Sequence, residues 1–139
     1  MELYSKGCEH VMRALVKIIQ ASPDGNFSIQ EVCCKNRLPF SFTQKIFRLL
    51  TRKGYLEART GPKGGYRFLI SPEKISVLDI VKAVDGKDAF EGCVMGFQEC
   101  RDSRPCALHK KWKMIRSTIL QEMEKTSLVS LRGKFKKTS

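Results

Sequence analysis

No stretch of this 139-residue chain approaches the roughly twenty consecutive apolar residues that a helix needs to cross a bilayer. The first twenty residues are interrupted by Glu2, Lys6, Glu9, His10, Arg13 and Lys17, so they hold neither the apolar centre nor the cleavage site of an export signal. These absences predict a cytoplasmic protein. In that compartment the six cysteines are expected as thiolate ligands, redox groups or core residues rather than structural disulfides. A catalytic triad, a phosphate-binding loop and a carboxylate pair suited to acid and base work are also missing, which predicts no enzymatic activity. Acidic side chains are scarce as well, 14 against 26 basic ones, for a formal charge of +12. The imbalance is uneven: +7 over residues 1–84, −2 over 85–105 and +7 over 106–139. A basic body suits a polyanionic partner. The one acidic stretch is where cysteines cluster, so its chemistry is expected to be separate from nucleic-acid contact.

What is present reads mainly as helix. Val11, Leu15, Ile18 and Ile19 recur at helical spacing between about Ser5 and Ala21, with Cys8 on the same stripe, and Ser22-Pro23-Asp24-Gly25 ends the segment. Ser28-Ile29-Gln30-Glu31 has the form of a capping box and opens a short second helix that stops near Asn36. After the turn Arg37-Leu38-Pro39-Phe40, a second such box, Ser41-Phe42-Thr43-Gln44, is expected to open a third helix with Ile46, Leu49 and Leu50 facing inward. Gly54 closes it. Residues 55–59 and 66–70 then read as the two strands of a hairpin whose tip, Thr60-Gly61-Pro62-Lys63-Gly64-Gly65, is glycine-rich and basic. A fourth helix starts at Ser76-Val77-Leu78-Asp79 and ends at Asp85-Gly86, and residues 87–105 show no steady period. A loop of that length in a compact domain is usually functional or disordered. From Cys106 onward Leu108, Trp112, Ile115, Ile119 and Met123 line one side of a helix of about five turns. That stripe is expected to pack against a second copy of the chain.

Two short helices, a tight turn between them and a two-stranded hairpin follow the order of a winged helix-turn-helix. A helix fits the major groove and its polar N-terminal face reads base edges. Ser41, Thr43, Gln44, Lys45 and Arg48 are therefore expected on the DNA-facing side of the third helix, with Gln44 suited to adenine and Lys45 and Arg48 to guanine or phosphate. At the wing, Arg59, Pro62, Lys63, Gly64 and Tyr66 complete the expected contact set: the tip lacks bulk, so its backbone approaches the duplex while Arg59 and Lys63 meet phosphates or a narrow minor groove.

The remaining chemistry lies in Cys93, Cys100 and Cys106, followed by His109. Soft thiolates select iron-sulfur clusters, copper(I) or zinc. The gaps of six and five residues between the cysteines are wider than the short knuckles usual for zinc and suit something larger than a single ion. Three ligands leave a fourth open, and the candidates are His109, Cys8, and an oxygen or nitrogen ligand near it such as Glu9 or His10. Cys33 and Cys34 have no ligand spacing, and core packing is expected for at least one.

Arg59-Thr60-Gly61-Pro62-Lys63-Gly64-Gly65-Tyr66 together with Ser76–Gly86 and the three-cysteine loop closed by Cys106-Ala107-Leu108-His109 resembles the Rrf-type bacterial repressors, the family of IscR, NsrR and RirA. The resemblance runs from about Met1 to Met123. It implies a homodimer with crossed C-terminal helices, a winged helix on each subunit, a palindromic operator and an iron-sulfur cluster that controls binding to it. In NsrR the residue matching Cys8 is an aspartate that ligates the cluster of the other subunit, which favours Cys8 of the partner as the fourth ligand; in IscR the histidine ligand matches His109. Four thiolates favour a four-iron cluster, the reading preferred here, and a histidine a two-iron one. The position of Gln44 is a glutamate in IscR, where it governs choice of operator type, so that choice does not carry over.

The sequence thus predicts a mainly α-helical protein with a small hairpin wing: a winged helix-turn-helix over 1–86, a cluster-binding loop over 87–106, a dimerisation helix and following segment over 107–131 and a basic tail over 132–139. The function expected is a dimeric transcription regulator, a repressor that senses nitric oxide, iron or cluster status, or redox stress. Its rivals are a zinc- or thiol-based regulator of the same fold and, in a different class, an iron-sulfur electron-transfer protein.

Overall fold

The computed structural model describes residues 3–21, 26–61, 64–92, 95, 103 and 105–131. Among them the chain forms helices α1 (Lys6–Ala21), α2 (Ile29–Asn36), α3 (Phe40–Arg52), α4 (Val77–Asp85) and α5 (His109–Lys125), with one hairpin of strands β1 (Leu56–Arg59) and β2 (Gly65–Phe68) between α3 and α4. The expected helix boundaries hold where a side chain caps the helix. The Ser28 hydroxyl accepts from the Glu31 amide at the start of α2, and Arg37 ends that helix in the left-handed conformation at φ 53°. Ser76 and Asp79 bond reciprocally across the first turn of α4, with Gly86 at its end. At α3 the expectation is corrected. The helix begins at Phe40, with Pro39 at the N-cap and no side-chain cap, so Ser41 lies inside its first turn; the Thr43 hydroxyl bonds back to the Pro39 carbonyl at 2.8 Å.

Helix α1 is the centre of the core. Val11, Ala14, Leu15, Val16 and Ile19 are buried along its length, and it packs against α2 and α4. Its first turn meets α3 closely: a Cβ on Gly7 would lie 2.5 Å from the tip of the Phe42 ring, so a larger residue there would oblige that ring to move. The N-terminus of α1 is tied to the end of α4 by Asp85, which accepts hydrogen bonds from the Ser5 amide at 2.7 Å and the Ser5 hydroxyl at 2.5 Å. The Ser5 hydroxyl in turn accepts from the Cys8 amide at 3.0 Å, capping α1.

The hairpin pairs Leu56 with Phe68, Glu57 with Arg67, Ala58 with Tyr66 and Arg59 with Gly65. A third edge comes from Phe27, which exchanges two backbone hydrogen bonds of 2.8 Å with Tyr66. A single bridging residue carries no alternation pattern, so the sequence offered no sign of it. The close approach explains Gly65: its φ is 152°, and a Cβ there would stand 2.6 Å from the Phe27 carbonyl oxygen. That oxygen belongs to backbone that cannot swing aside. Gly65→Ala is therefore expected to destabilise the fold by about 1–3 kcal/mol, seen as a lower denaturation midpoint; an unchanged midpoint would refute this account of the bridge.

Helix α5 packs on α4, and the chain beyond it returns to the segment that leads into α4. The Val77 amide bonds to the Thr126 carbonyl at 2.8 Å and the Leu128 amide to the Ile75 carbonyl at 2.9 Å, leaving Leu128 fully buried. The stripe read on α5 consequently divides. Trp112 is buried and Ile119 and Met123 pack partly on the core, whereas Ile115 and its neighbour Met114 are 52% and 71% exposed and Leu108 is also open. No helix among the described residues is long and apolar enough to cross a membrane.

Candidate functional site

The outer face of α3 is built by its inner one. Ile46, Phe47 and Leu50 are buried, and their spacing turns Ser41, Lys45, Arg48 and Arg52 out to solvent, with Gln44 half-buried beside them. Thr43 does not join this face, as the sequence had suggested. It is fully buried, and its hydroxyl is spent on the Pro39 carbonyl, so it shapes the start of α3 and offers nothing to a partner.

The wing stands beside that face. Arg48, Thr51 and Arg52 of α3 share a shallow cleft with Ala58 of β1 and Tyr66 of β2. The two parts are pinned together by aromatic rings. Phe47 meets Phe27 edge-on with centroids 5.8 Å apart and Tyr66 at 5.5 Å, while Phe27 and Tyr66 stack at 6.5 Å. Tyr66 is thus chiefly a packing residue at the base of the wing. Arg59 is exposed at the end of β1. Gly64 has a structural reason to be glycine: its amide bonds to the Gly61 carbonyl at 2.8 Å, and a Cβ would fall 2.5 Å from the Arg59 carbonyl oxygen. Pro62 and Lys63 lie outside the described residues.

Of the cysteines, Cys93 and Cys100 also lie outside the described residues. Cys106 is half-exposed and, with His109, lines a cleft at the start of α5 that includes Lys110 and Lys113. The His109 amide donates to the Cys106 carbonyl at 3.1 Å, which holds the two residues in one turn. The beginning of the loop is fastened to the same helix: Trp112 Nε1 donates to the Gly92 carbonyl at 3.0 Å and Arg116 to the Phe90 carbonyl at 3.3 Å. Phe90, Gly92 and Cys106 are therefore all held at the first half of α5.

Cys8 is placed differently. Its side chain is completely buried in the core of its own subunit, and burial, with the nearby Asp85 carboxylate adding to it, pushes the thiol up to about 12. A thiol so placed is protonated at neutral pH. Cys33 is buried too, as expected of one member of that pair, while Cys34 is exposed on α2. Among the described residues no group of three or more histidine, cysteine or acidic side chains converges as a metal site.

Comparison with known proteins settles the family. The model of the Rrf2 family, described as iron-dependent transcriptional regulators, matches residues 4–133. The chain belongs to the Rrf2 family. Among curated relatives, the HTH-type transcriptional regulator IscR of Aliivibrio salmonicida is 26% identical over 131 residues, covering 94% of this chain and 77% of the relative. In fold, this Rrf2 protein is similar to CymR, the global cysteine regulator of B. subtilis, with a TM-score of 0.79 over 98% of this chain and all of the other at 18% identity. It is also similar to T. potens IscR, with a TM-score of 0.71 over 91% of this chain and 83% of the other at 16% identity. The winged-helix reading is therefore right, and this Rrf2 chain is a transcriptional regulator and not an enzyme.

Proposed function

We propose that this Rrf2 protein is a homodimeric repressor that holds an iron-sulfur cluster on its three-cysteine loop and binds a palindromic operator through α3 and the wing. The observation that carries the DNA-reading half is the outward row of Ser41, Gln44, Lys45 and Arg48 beside the wing cleft. Base edges are met by Gln44 and Lys45, phosphates by Arg48, Arg59 and Lys63. The second copy covers Leu108, Met114 and Ile115, since large exposed apolar side chains grouped on one helix mark an interface. Two recognition helices then face successive turns of the duplex.

For the cluster, Cys93, Cys100 and Cys106 are the thiolate ligands and His109 is the fourth. The support for His109 is its shared cleft and turn with Cys106; Cys8 of the partner is the alternative fourth ligand, and to serve as one its buried side chain would have to leave the core. Three thiolates and a histidine favour a two-iron over a four-iron cluster. When bound, the group supplies a centre that iron loss, nitric oxide or oxidants alter. The chain relays its state through fixed contacts: Trp112 and Arg116 hold the start of the loop on α5, and Asp85, just before the loop, holds Ser5 at the head of α1. The same pair Cys106 and His109 also suits zinc, which gives the competing reading of a zinc- or thiol-based regulator.

Iron, acid-labile sulfide and zinc measured on anaerobically purified protein decide between these. Equal iron and sulfide support the cluster; zinc without sulfide removes it and leaves the operator-binding assignment standing. On the DNA side, Arg48→Ala is expected to weaken operator binding about tenfold to a hundredfold and to flatten its dependence on salt by about one counterion. Fluorescence anisotropy across a salt series reads both quantities, and an unchanged affinity would place the DNA contact elsewhere.

A further inference from the structure

Phe40 stands at the head of α3 with 47% of its surface open, the one aromatic among the large apolar side chains that the described residues leave exposed. Its neighbours account for its direction. Leu38 just before it is buried, and the inward positions of the following turns are taken by Thr43, Ile46 and Phe47. Phe40 is followed at steps of four by Gln44 and Arg48, so the three share one side of the helix. The helix contains no acidic residue, and its open face otherwise offers only hydrogen-bonding and cationic groups.

A ring heading such a row is poorly suited to an apolar protein partner, whose surface would have to desolvate the charges behind it. A DNA groove matches it better. The major groove displays acceptors and donors that amide and basic side chains read, and one apolar feature, the C5-methyl group of thymine, against which phenylalanine packs. Residues at the N-terminal end of a recognition helix are also those nearest the base edges.

We propose that Phe40 is a specificity-determining residue that recognises the methyl group of a thymine in each half of the operator. This rests on the assignment of α3 as the groove-reading helix. Sheltering one methyl group against a ring corresponds to about a fourfold to tenfold gain in affinity. Because Phe40 is outside the core, its removal leaves the fold intact, unlike removal of Phe47 in the same helix.

The test is selection of duplexes from a random-sequence library with the wild-type and Phe40→Ala proteins, followed by replacement of each selected thymine by deoxyuridine, which lacks only the methyl group. The wild type is expected to lose about fourfold to tenfold in affinity at one position per half-site. Phe40→Ala is expected to bind both forms equally while keeping the wild-type unfolding midpoint and low-salt binding to unrelated DNA, and Phe40→Leu to keep part of the discrimination. An equal deoxyuridine penalty in wild type and Phe40→Ala would overturn the role of Phe40 alone. A uniform loss of affinity for every duplex in Phe40→Ala would overturn it as well, because that is the mark of a sugar or phosphate contact. If the wild type itself selects no sequence, the groove-reading assignment of α3 fails and the inference falls with it.

Discussion

Phe47→Ala is expected to destabilise the protein by about 3–5 kcal/mol, the usual range for truncating a fully buried phenylalanine. The ring is inaccessible to solvent and touches both Phe27 and Tyr66 edge-on. Those two residues form the bridge that closes the wing onto the segment before α2. Truncation therefore leaves a cavity where α3, the bridge and the wing meet, and the surrounding rings cannot all collapse into it without breaking hydrogen bonds. The consequence extends to DNA binding: with the pin removed, the angle between α3 and the wing is no longer held, so operator affinity falls even at temperatures where the variant is folded. Chemical denaturation at fixed protein concentration measures the first effect and operator titration of the folded variant the second. A loss below about 1 kcal/mol would mean that the rings repack freely and that Phe47 is not the pin.

The second large effect separates two cysteines. For the proposed cluster, Cys106→Ala is expected to abolish bound iron and sulfide, because loss of one of the four proposed ligands leaves an open coordination position next to solvent. Cys8→Ala is expected to keep both. Its side chain lies wholly inside its own subunit and would have to leave the core to reach a cluster. Alanine fits the same small apolar site, so the cost is confined to the packing of one sulfur atom, on the order of 1–2 kcal/mol. Iron and sulfide content per subunit, with the visible absorption spectrum, reads both variants. Loss of iron from folded Cys8→Ala would return that residue to the ligand set and displace His109.

The elements legible in the sequence are those whose signals are local. The ends of α2 and α4 were marked by Ser28 and by the Ser76–Asp79 pair, whose side chains bond to backbone within three residues of themselves. The hairpin was marked by its glycine-rich tip, and the basic helix beside it by spacing alone. At α3 the reading failed: Ser41-Phe42-Thr43-Gln44 has the letters of a capping box, yet the helix starts at Phe40 after Pro39, which leaves Ser41 inside the first turn. The candidate site was legible in the same measure, with Lys45, Arg48 and Arg59 on open surfaces and Thr43 lost to the core.

The sequence by itself determined that this is a basic, mainly helical regulator with a winged helix-turn-helix, because charge, period and capping chemistry are properties of near neighbours along the chain. Only the tertiary structure decided which face of each element is open. It put Cys8 in the core, drew Phe27 to the edge of the wing, brought Leu128 back against Ile75 and left Phe40 exposed at the head of α3. Burial depends on what arrives from a distant part of the chain, and no local pattern records that arrival.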